Sequence, residues 1–144
     1  MVKIKIKKIH SDAIIPKYAH KGDSGMDVYS IEEFKLKTLE RKLVKTGLSF
    51  EIPIGYEIQT RPKSGLAIKY GITIVNAPGT IDSCYRGELG IILMNTDKET
   101  YLIKKGEKIA QIVLQKVEEM EFIETENLDS TSRGDKGFGS TGQK

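Results

Sequence analysis

Short segments of apolar and β-branched residues, separated by glycines and charged turns, dominate this chain of 144 residues. In the first of them, apolar residues alternate with lysines from Val2 to Lys7. A period of two is typical of a strand with one buried face. Many short strands at close spacing predict an all-β fold, arranged as a sandwich, a jelly roll or a barrel. The other segments are Phe34–Leu39, Leu48–Ile52, Tyr56–Thr60, Ile72–Val75, Leu89–Met94, Tyr101–Ile103 and Ile109–Val117.

One short stretch departs from this pattern and predicts a helix. Leu66 to Tyr70 spans about one and a half turns, and Ser64 is a residue type that commonly caps a helix at its N-terminus. Gly71 then supplies the left-handed conformation that ends many helices. We therefore expect a single short helix among the strands.

Size and composition limit the class of protein. The length fits one domain, and Lys+Arg 23 against Asp+Glu 20 gives a net charge of +3 without a long run of one sign, so nucleic-acid binding is not expected. A single cysteine, two histidines and the absence of a long apolar segment argue against a disulfide, a zinc site and a membrane span. We expect a soluble, cytoplasmic protein.

The stretch from Asn76 to Asn95 joins a turn signal, a carboxylate, an aromatic ring and an apolar strand. The Pro-Gly pair at 78–79 followed by the apolar run predicts a hairpin with Asp82 and Tyr85 near its bend. Taken alone, this segment also fits an ordinary hairpin with a solvated Asp and a half-buried Tyr.

From Asn127 onward the chain becomes rich in Gly, Ser and Thr and cannot fold on its own. We therefore divide the chain into a folded domain, 1–126, and a C-terminal arm, 127–144. The arm is either an inert spacer or a flap that becomes ordered over an anion. The second interpretation gives a purpose to the arginine and the aromatic residue that it carries, Arg133 and Phe138.

Three further positions carry polar groups that invite a functional interpretation. Ser64-Gly65 at a helix start, close to Arg61 and Lys63, resembles an anion site, although Ser caps are common. Gln111 lies inside an apolar strand, where a buried amide needs partners, but it fits the wet face equally well. Asp27 is similarly open to a structural or a functional role.

Together and in order, these segments resemble the five sequence motifs of the trimeric dUTPase family. The first motif is G-D-S-G-M-D-V, and the second is R-P-K-S-G-L-A-I-K-Y-G. N-A-P-G-T-I-D-S-C-Y-R-G-E-L is the third and K-G-E-K-I-A-Q-I the fourth. The fifth, R-G-D-K-G-F-G-S-T-G, lies in the arm. The resemblance covers nearly the whole chain.

The resemblance implies Mg²⁺-dependent hydrolysis of dUTP to dUMP and pyrophosphate, which supplies dUMP for thymidylate synthesis and keeps uracil out of DNA. Asp82 would be the base that activates the attacking water, and Asp27 would hold Mg²⁺ indirectly, through its water shell. A positioned carboxylate that takes a proton from water accelerates such a reaction by about 10² to 10⁴.

The resemblance also implies where the nucleotide lies. Base and sugar would contact residues of the third motif and the strand after it: Asn76, Gly79, Thr80, Ile81 and Gly90, with Tyr85 against the deoxyribose to exclude UTP. The phosphates would be bound by Lys63, Ser64, Gly65 and Gln111, with Arg133, Gly139, Ser140 and Thr141 of the arm closing over them and Phe138 covering the uracil.

One departure concerns the second motif, which usually has arginine where this chain has Lys63. Lysine keeps the charge but loses the bidentate fork, so we expect weaker orientation of a phosphate there. Cys84, in the third motif, is interpreted as a small packed residue and not as a nucleophile, because no histidine lies nearby in the motif.

The family fold is a jelly roll assembled as a homotrimer, with active sites at subunit junctions and the arm of one chain closing a site on another. Three alternatives remain at this point, and one of them is a purely structural trimeric β-protein, whose arm no nucleotide would order. A related dCTP deaminase would need a catalytic glutamate at the position of Ile92. A non-catalytic nucleotide-binding protein of the same fold would bind dUTP without cleaving it.

Overall fold

The computed structural model describes residues 1–137, and its regular structure is mostly β with one short helix, as predicted. The elements in this range are β1 (Lys5–Lys8), β2 (Gly25–Tyr29), β3 (Phe34–Leu36), β4 (Arg41–Lys45), β5 (Leu48–Glu51), β6 (Tyr56–Arg61), α1 (Ser64–Tyr70), β7 (Ile72–Ile74), β8 (Gly79–Ile81), β9 (Gly90–Asn95), β10 (Tyr101–Ile103) and β11 (Lys108–Lys116). Within the same range, no helix combines the length and the apolar character that a bilayer crossing requires.

The strands form four antiparallel sheets. The largest has the order β2-β11-β6-β8, and a second has the order β4-β9-β7; the pairs β1-β5 and β10-β3 complete the set. Among residues 1–137 no sheet closes on itself, so the predicted barrel is wrong, and the sequence segments make separate packed sheets instead. The jelly-roll assignment stays a prediction.

Side chains from the two larger sheets meet in a single core. Val28 and Ala110 of the four-stranded sheet and Val44, Ile72 and Leu93 of the three-stranded sheet are almost fully buried in one cluster. Because side chains alternate across a strand, the neighbours of these residues point to the opposite face. That face of the four-stranded sheet is where several of the predicted site residues lie.

The helix begins two residues earlier than predicted. Ser64 is its first residue, Lys63 is the N-cap in extended conformation, and no side chain of the described residues caps the N-terminus by a hydrogen bond. The predicted Ser64 cap is therefore wrong, since a residue inside the first turn does not have the backbone conformation of a cap. The predicted end is confirmed, because Gly71 adopts φ 62° and donates its N–H back to the carbonyl of Ala67.

The predicted hairpin around Asp82 is also wrong. β8 pairs with β6, whereas β9 pairs with β4 and β7, so the two strands that flank Asp82 lie in different sheets. Burial of apolar side chains explains why β9 does not pair with β8, since Ile91 and Leu93 of β9 are buried in the core. Residues 82–89 thus form a connection between sheets, and we call this segment the crossing loop.

Residues 117–137 contain no helix or strand. Five large apolar side chains in this segment are exposed, namely Val117, Met120, Phe122, Ile123 and Leu128. The division of the chain at residue 126 stays a prediction.

Candidate functional site

Strand β8 leaves a sheet edge beside the crossing loop. It pairs with β6 through Ile81 with Ile58 and Gly79 with Thr60, and no other described strand pairs with it. The Gly79 backbone lies against Thr60, because a Cβ added to Gly79 would overlap Thr60 Oγ1 and stand 3.1 Å from Asn76 Nδ2. Backbone N–H and C=O groups on the unpaired side of β8 are thereby available to a ligand.

Gly79→Ala is expected to destabilise the protein by about 2 kcal/mol, because the buried Thr60 hydroxyl has no room for the added methyl. Adding Thr60→Ala should recover most of this loss, since the nearest atom is then removed. Chemical denaturation of the two single variants and the double variant measures the coupling. Gly65→Ala is the control, because no heavy atom would lie within 4 Å of a methyl carbon added there; a loss as large as that of Gly79→Ala would contradict the steric explanation.

The crossing loop holds Asp82 and Tyr85 on anchored backbone. The Tyr85 N–H donates to the Asp82 carbonyl at 3.1 Å, and the Tyr85 hydroxyl donates to the Glu88 carbonyl at 3.0 Å. The Glu88 carboxylate in turn accepts the Gly47 N–H at 2.8 Å, which ties the loop to the segment between β4 and β5. Gly87 gives the Tyr85 ring its space, because a Cβ there would overlap the ring hydroxyl.

The Asp82 carboxylate is exposed and forms no hydrogen bond or ion pair with residues 1–137. A carboxylate that needs no protein partner can accept a proton or a hydrogen bond from a bound molecule. Cys84, two residues further along, is exposed as well. The prediction that it is a packed residue is wrong, because the crossing loop turns it outward.

A second group of polar residues crosses the four-stranded sheet. Asp27 of β2, Gln111 of β11 and Arg61 of β6 are directly paired in register. The Lys63 ammonium donates to Asp27 Oδ1 at 2.5 Å, and the Lys108 ammonium contacts Asp27 Oδ2 at 2.9 Å. Partial burial acts to raise the pKa of Asp27, but hydrogen bonds from the two lysines hold the pKa below its usual value. The Asp27 carboxylate is therefore ionised and doubly paired.

Gln111 connects this row to the turn before the helix. Its Nε2 donates to the carbonyl of Pro62 at 3.0 Å, so the half-buried amide has a partner. Gly25 makes room for the same amide, since a Cβ on Gly25 would lie 2.5 Å from Gln111 Oε1. Ser64 and Gly65 follow on the exposed surface. The structure thus brings Lys63, Asp27 and Gln111 together, and their roles toward phosphate and metal stay predictions.

A polar hollow of about 240 Å³ lies beside Asp27 and Gln111. Asp23, whose carboxylate accepts the His20 N–H at 2.7 Å, also lines this hollow. The remaining lining residues are Lys17, Ala19, Ser24 and Gly25. Carboxylate, amide and hydroxyl groups around a hollow of this size suit a hydrated cation.

Comparison with known proteins decides the family. Residues 11–142 match the dUTPase family. A deoxyuridine 5'-triphosphate nucleotidohydrolase of Nautilia profundicola is 54% identical over 99% of this chain and 100% of its own length, and that of Fusobacterium nucleatum is 54% identical with the same coverage. The chain belongs to the dUTPase family.

Solved structures of dUTPases share the fold. The dUTPase of Staphylococcus bacteriophage 80alpha with dUpNHpp has a TM-score of 0.86 and 32% identity, covering 97% of this chain and 98% of the phage protein. A mutant dUTPase from phage phi11 of S. aureus, described with a structural Mg(II) ion, has a TM-score of 0.82 and 27% identity over 89% and 99% of the two chains.

The residues present fit a magnesium ion only through water. Among residues 1–137 no group of three or more His, Cys, Asp or Glu side chains converges on one point, so a cage of direct protein ligands does not exist there. Asp27 at the edge of the polar hollow fits an ion that keeps several of its waters, as Mg²⁺ does. The indirect role that the resemblance implies for Asp27 stays a prediction.

The two groups of this dUTPase are well separated within one chain. Asp27 and the end of β8 are three strands apart in the sheet and offset by about three residues along the strands, which corresponds to a distance of roughly 17 Å.

Two of the other predicted site residues belong to neither group. Gly90 belongs to the three-stranded sheet, where Leu43 packs against it. Arg133 is exposed and donates to the Lys136 carbonyl at 2.8 Å, and within residues 1–137 it has no hydrogen bond or ion pair to either group. The sites predicted at Phe138, Gly139, Ser140 and Thr141 lie outside the described residues.

Sequence reasoning missed two residues that support the site. Lys108 binds Asp27, and Thr60 packs under Gly79. Thr60 alternates in phase with Tyr56 and Ile58, which places it on the apolar face of the strand, and this was a usable signal. The sequence contains no such signal for Lys108, because its contact with Asp27 depends on the pairing of β2 with β11.

Proposed function

We propose that this dUTPase hydrolyses dUTP to dUMP and pyrophosphate, with Asp82 as the general base. The observation that carries the proposal is the exposed Asp82 carboxylate, without a partner among residues 1–137, immediately after the unpaired edge of β8. Asp82 accepts a proton from water, whose oxygen forms a bond to the α-phosphorus. The bond from the α-phosphorus to the oxygen that bridges the α- and β-phosphates breaks, and pyrophosphate leaves with that oxygen.

The edge of β8 suits recognition of uracil by backbone groups. Uracil offers an acceptor, a donor and an acceptor in sequence, which N–H and C=O groups around Gly79, Thr80 and Ile81 can match, with the side-chain amide of Asn76 beside them. Cytosine reverses two of these groups and would leave polar atoms unpaired. Such mismatches reduce reaction rates by several powers of ten. Gly90 would complete the wall around base and sugar.

Tyr85→Ala is expected to admit UTP as a substrate, because the ring that lies against the deoxyribose leaves no space for a 2′-hydroxyl. The ratio of kcat/KM for dUTP to that for UTP should fall by about 10². Tyr85→Phe is the matched control: it keeps the ring and removes only the hydroxyl that binds the Glu88 carbonyl. An unchanged ratio in Tyr85→Ala would contradict this role of the ring.

The phosphates are assigned to the group around Asp27. Lys63 supplies positive charge, and Ser64, Gly65 and Gln111 supply hydrogen-bond donors on the adjoining surface. When bound, Mg²⁺ would neutralise charge on the triphosphate as pyrophosphate leaves. Asp27 would hold the ion through its waters. Arg133, Gly139, Ser140 and Thr141 of the arm would close over the phosphates, and Phe138 would cover the uracil.

A homotrimer with shared sites follows from the same assignment. The uracil edge and the phosphate group of one chain are roughly 17 Å apart, so two neighbouring chains are proposed to bring them onto one nucleotide. The exposed apolar side chains of residues 117–137 support a position against another subunit. An apolar groove, about 490 Å³ in volume and lined by residues such as Ile4, Ile15, Tyr18, Met26 and Leu114, also supports assembly.

Product analysis with four nucleotides tests the function. Incubation with Mg²⁺ should release pyrophosphate and dUMP from dUTP, and neither product in quantity from dCTP, dTTP or UTP. Ammonia released from dCTP would instead indicate a deaminase. The deaminase interpretation is not favoured, because Ile92 occupies the position that would carry its glutamate and the matched relatives are dUTP nucleotidohydrolases. Binding of dUTP without turnover would indicate a non-catalytic protein.

A further inference from the structure

Two groups compete for the Lys63 ammonium: the Asp27 carboxylate and, in the proposed function, the nucleotide phosphates. As a phosphate ligand Lys63 must point toward Ser64 and Gly65, yet its ammonium lies 2.5 Å from Asp27 Oδ1. Both side chains of this pair are largely screened from solvent, with exposed fractions of 26% for Lys63 and 20% for Asp27. The pair therefore interacts more strongly than a fully exposed ion pair would.

While both lysines are paired with it, Asp27 holds a hydrated cation less well than its position at the polar hollow would otherwise allow. Lys63 contacts one carboxylate oxygen and Lys108 contacts the other, so one negative charge faces two positive ones. A divalent ion beside this carboxylate would be repelled by both ammonium groups. Removal of one lysine would restore the neutrality of the remaining pair and free one oxygen for a water of the ion.

The backbone around the two lysines differs in a way that indicates which one moves. Lys63 is the N-cap of α1 and directly precedes the proposed phosphate-binding residues, and its turn is fixed by the hydrogen bond from Gln111 to Pro62. The Lys63 side chain can therefore swing while its backbone stays in place. Lys108 lies at the start of β11, three residues before Gln111, so about 10 Å of strand separates its backbone from the residue that contacts the turn before Ser64.

We propose that Lys63 is a two-position latch: it pairs with Asp27 in the free protein and transfers to the nucleotide phosphates on binding, which releases Asp27 to hold the hydrated metal ion. Lys108 stays on Asp27 and acts as a positioning residue that keeps the carboxylate in place. The latch rests on the proposed function. Because one side chain serves both partners, binding of phosphate and binding of the metal are coupled, and the coupling is reciprocal.

Metal-free binding of dUpNHpp provides the first test. With EDTA present, Asp27→Asn should tighten dUpNHpp binding by about tenfold, because Lys63 no longer has to leave a carboxylate. In a Lys63→Gln background the same change should have an effect of no more than about twofold. Calorimetric titration of the wild type, both single variants and the double variant measures this difference. Equal gains in the two backgrounds, or no gain in either, would overturn the latch.

Lys108→Gln is the matched control, because it removes the same charge from the same carboxylate. The gain from Asp27→Asn should persist in the Lys108→Gln background. If Lys108→Gln abolishes the gain as Lys63→Gln does, the coupling reflects total charge and the latch is wrong.

Binding of Mn²⁺ to the nucleotide-free protein gives an independent readout by electron paramagnetic resonance. Lys63→Gln should bind Mn²⁺ about tenfold more tightly than the wild type, while its metal-free affinity for dUpNHpp falls. Loss of any nearby positive charge shifts the two affinities in these directions, so Lys108→Gln is measured beside it. Both variants should gain Mn²⁺ affinity, but only Lys63→Gln should lose dUpNHpp affinity, and a comparable loss in Lys108→Gln would overturn the latch. Unchanged Mn²⁺ affinity in Lys63→Gln would overturn the proposal.

Thermal unfolding of each variant shows whether it is folded, and Lys63→Met replaces Lys63→Gln if the latter melts early. The same binding experiments separate failure of the proposed function from failure of the latch. Failure of the wild type to bind dUpNHpp would contradict the proposed function itself. Normal binding by the wild type with no coupling between Asp27 and Lys63 would contradict only the latch.

Discussion

Asp82→Asn is expected to lower kcat for dUTP hydrolysis by about 10² to 10⁴, because the amide cannot accept the proton of the attacking water. The exposed carboxylate makes no hydrogen bond or ion pair within residues 1–137, so its replacement should not disturb the crossing loop. Steady-state pyrophosphate release measures the loss. Affinity for dUpNHpp should stay within about threefold of the wild type, since a general base contributes to the transition state more than to ground-state binding.

The matched control for Asp82→Asn is Glu33→Gln, which makes the same charge change at an exposed side chain without a hydrogen bond or ion pair in the described part of the chain. It should leave both kcat and dUpNHpp affinity unchanged. Parallel loss of turnover and of nucleotide binding in Asp82→Asn would refute a role as base and would indicate a role in binding.

Deletion of residues 133–144 is expected to lower kcat/KM by about 10² or more. The deleted segment carries the fifth motif, which we propose to close over the phosphates and the uracil, and loss of closure admits water and loosens the substrate. The fold should survive, because the buried hydrophobic residues of the described chain lie between Ala13 and Val113. Activity measurements and thermal unfolding on the same sample separate the two effects, and we expect the melting temperature to change by no more than about 2 °C.

Deletion of only Gln143 and Lys144 is the control for the arm, because it removes chain length and leaves the whole fifth motif in place. This variant should keep full activity. If removal of 133–144 unfolds the protein, the arm has a structural role. If that deletion leaves kcat/KM unchanged, closure by the arm is contradicted.

The strands that could be predicted are those with one buried face and one solvent-exposed face. Tyr101–Ile103 was predicted with the observed bounds, and Tyr56–Thr60 ends one residue short of β6. β4 was missed because its segment, R-K-L-V-K, is mostly charged and buries only Val44. β8 was missed because three residues beginning with Gly79 carry no pattern of their own; its place depends on β6.

Motif resemblance indicated residues for the candidate site, whose roles stay predictions, but it did not indicate their arrangement. Motif resemblance indicated Asp27, Lys63 and Gln111, since each stands in a segment with a recognisable pattern. The ion pair between Lys63 and Asp27 was not predictable, because it joins residues that are 36 positions apart and depends on the order of strands β2, β11 and β6. The position of Asp82 after β8, at the opposite edge of the same sheet from Asp27, was unpredictable for the same reason.

Hydrolysis in ¹⁸O-labelled water tests most directly the central claim, that water activated by Asp82 attacks the α-phosphorus of dUTP. The wild-type protein is incubated with dUTP and Mg²⁺ in labelled water, and both products are analysed by mass spectrometry. Attack at the α-phosphorus predicts one ¹⁸O atom in dUMP and none in pyrophosphate. Label in pyrophosphate with unlabelled dUMP would place the attack on the β-phosphorus and would contradict the proposed mechanism.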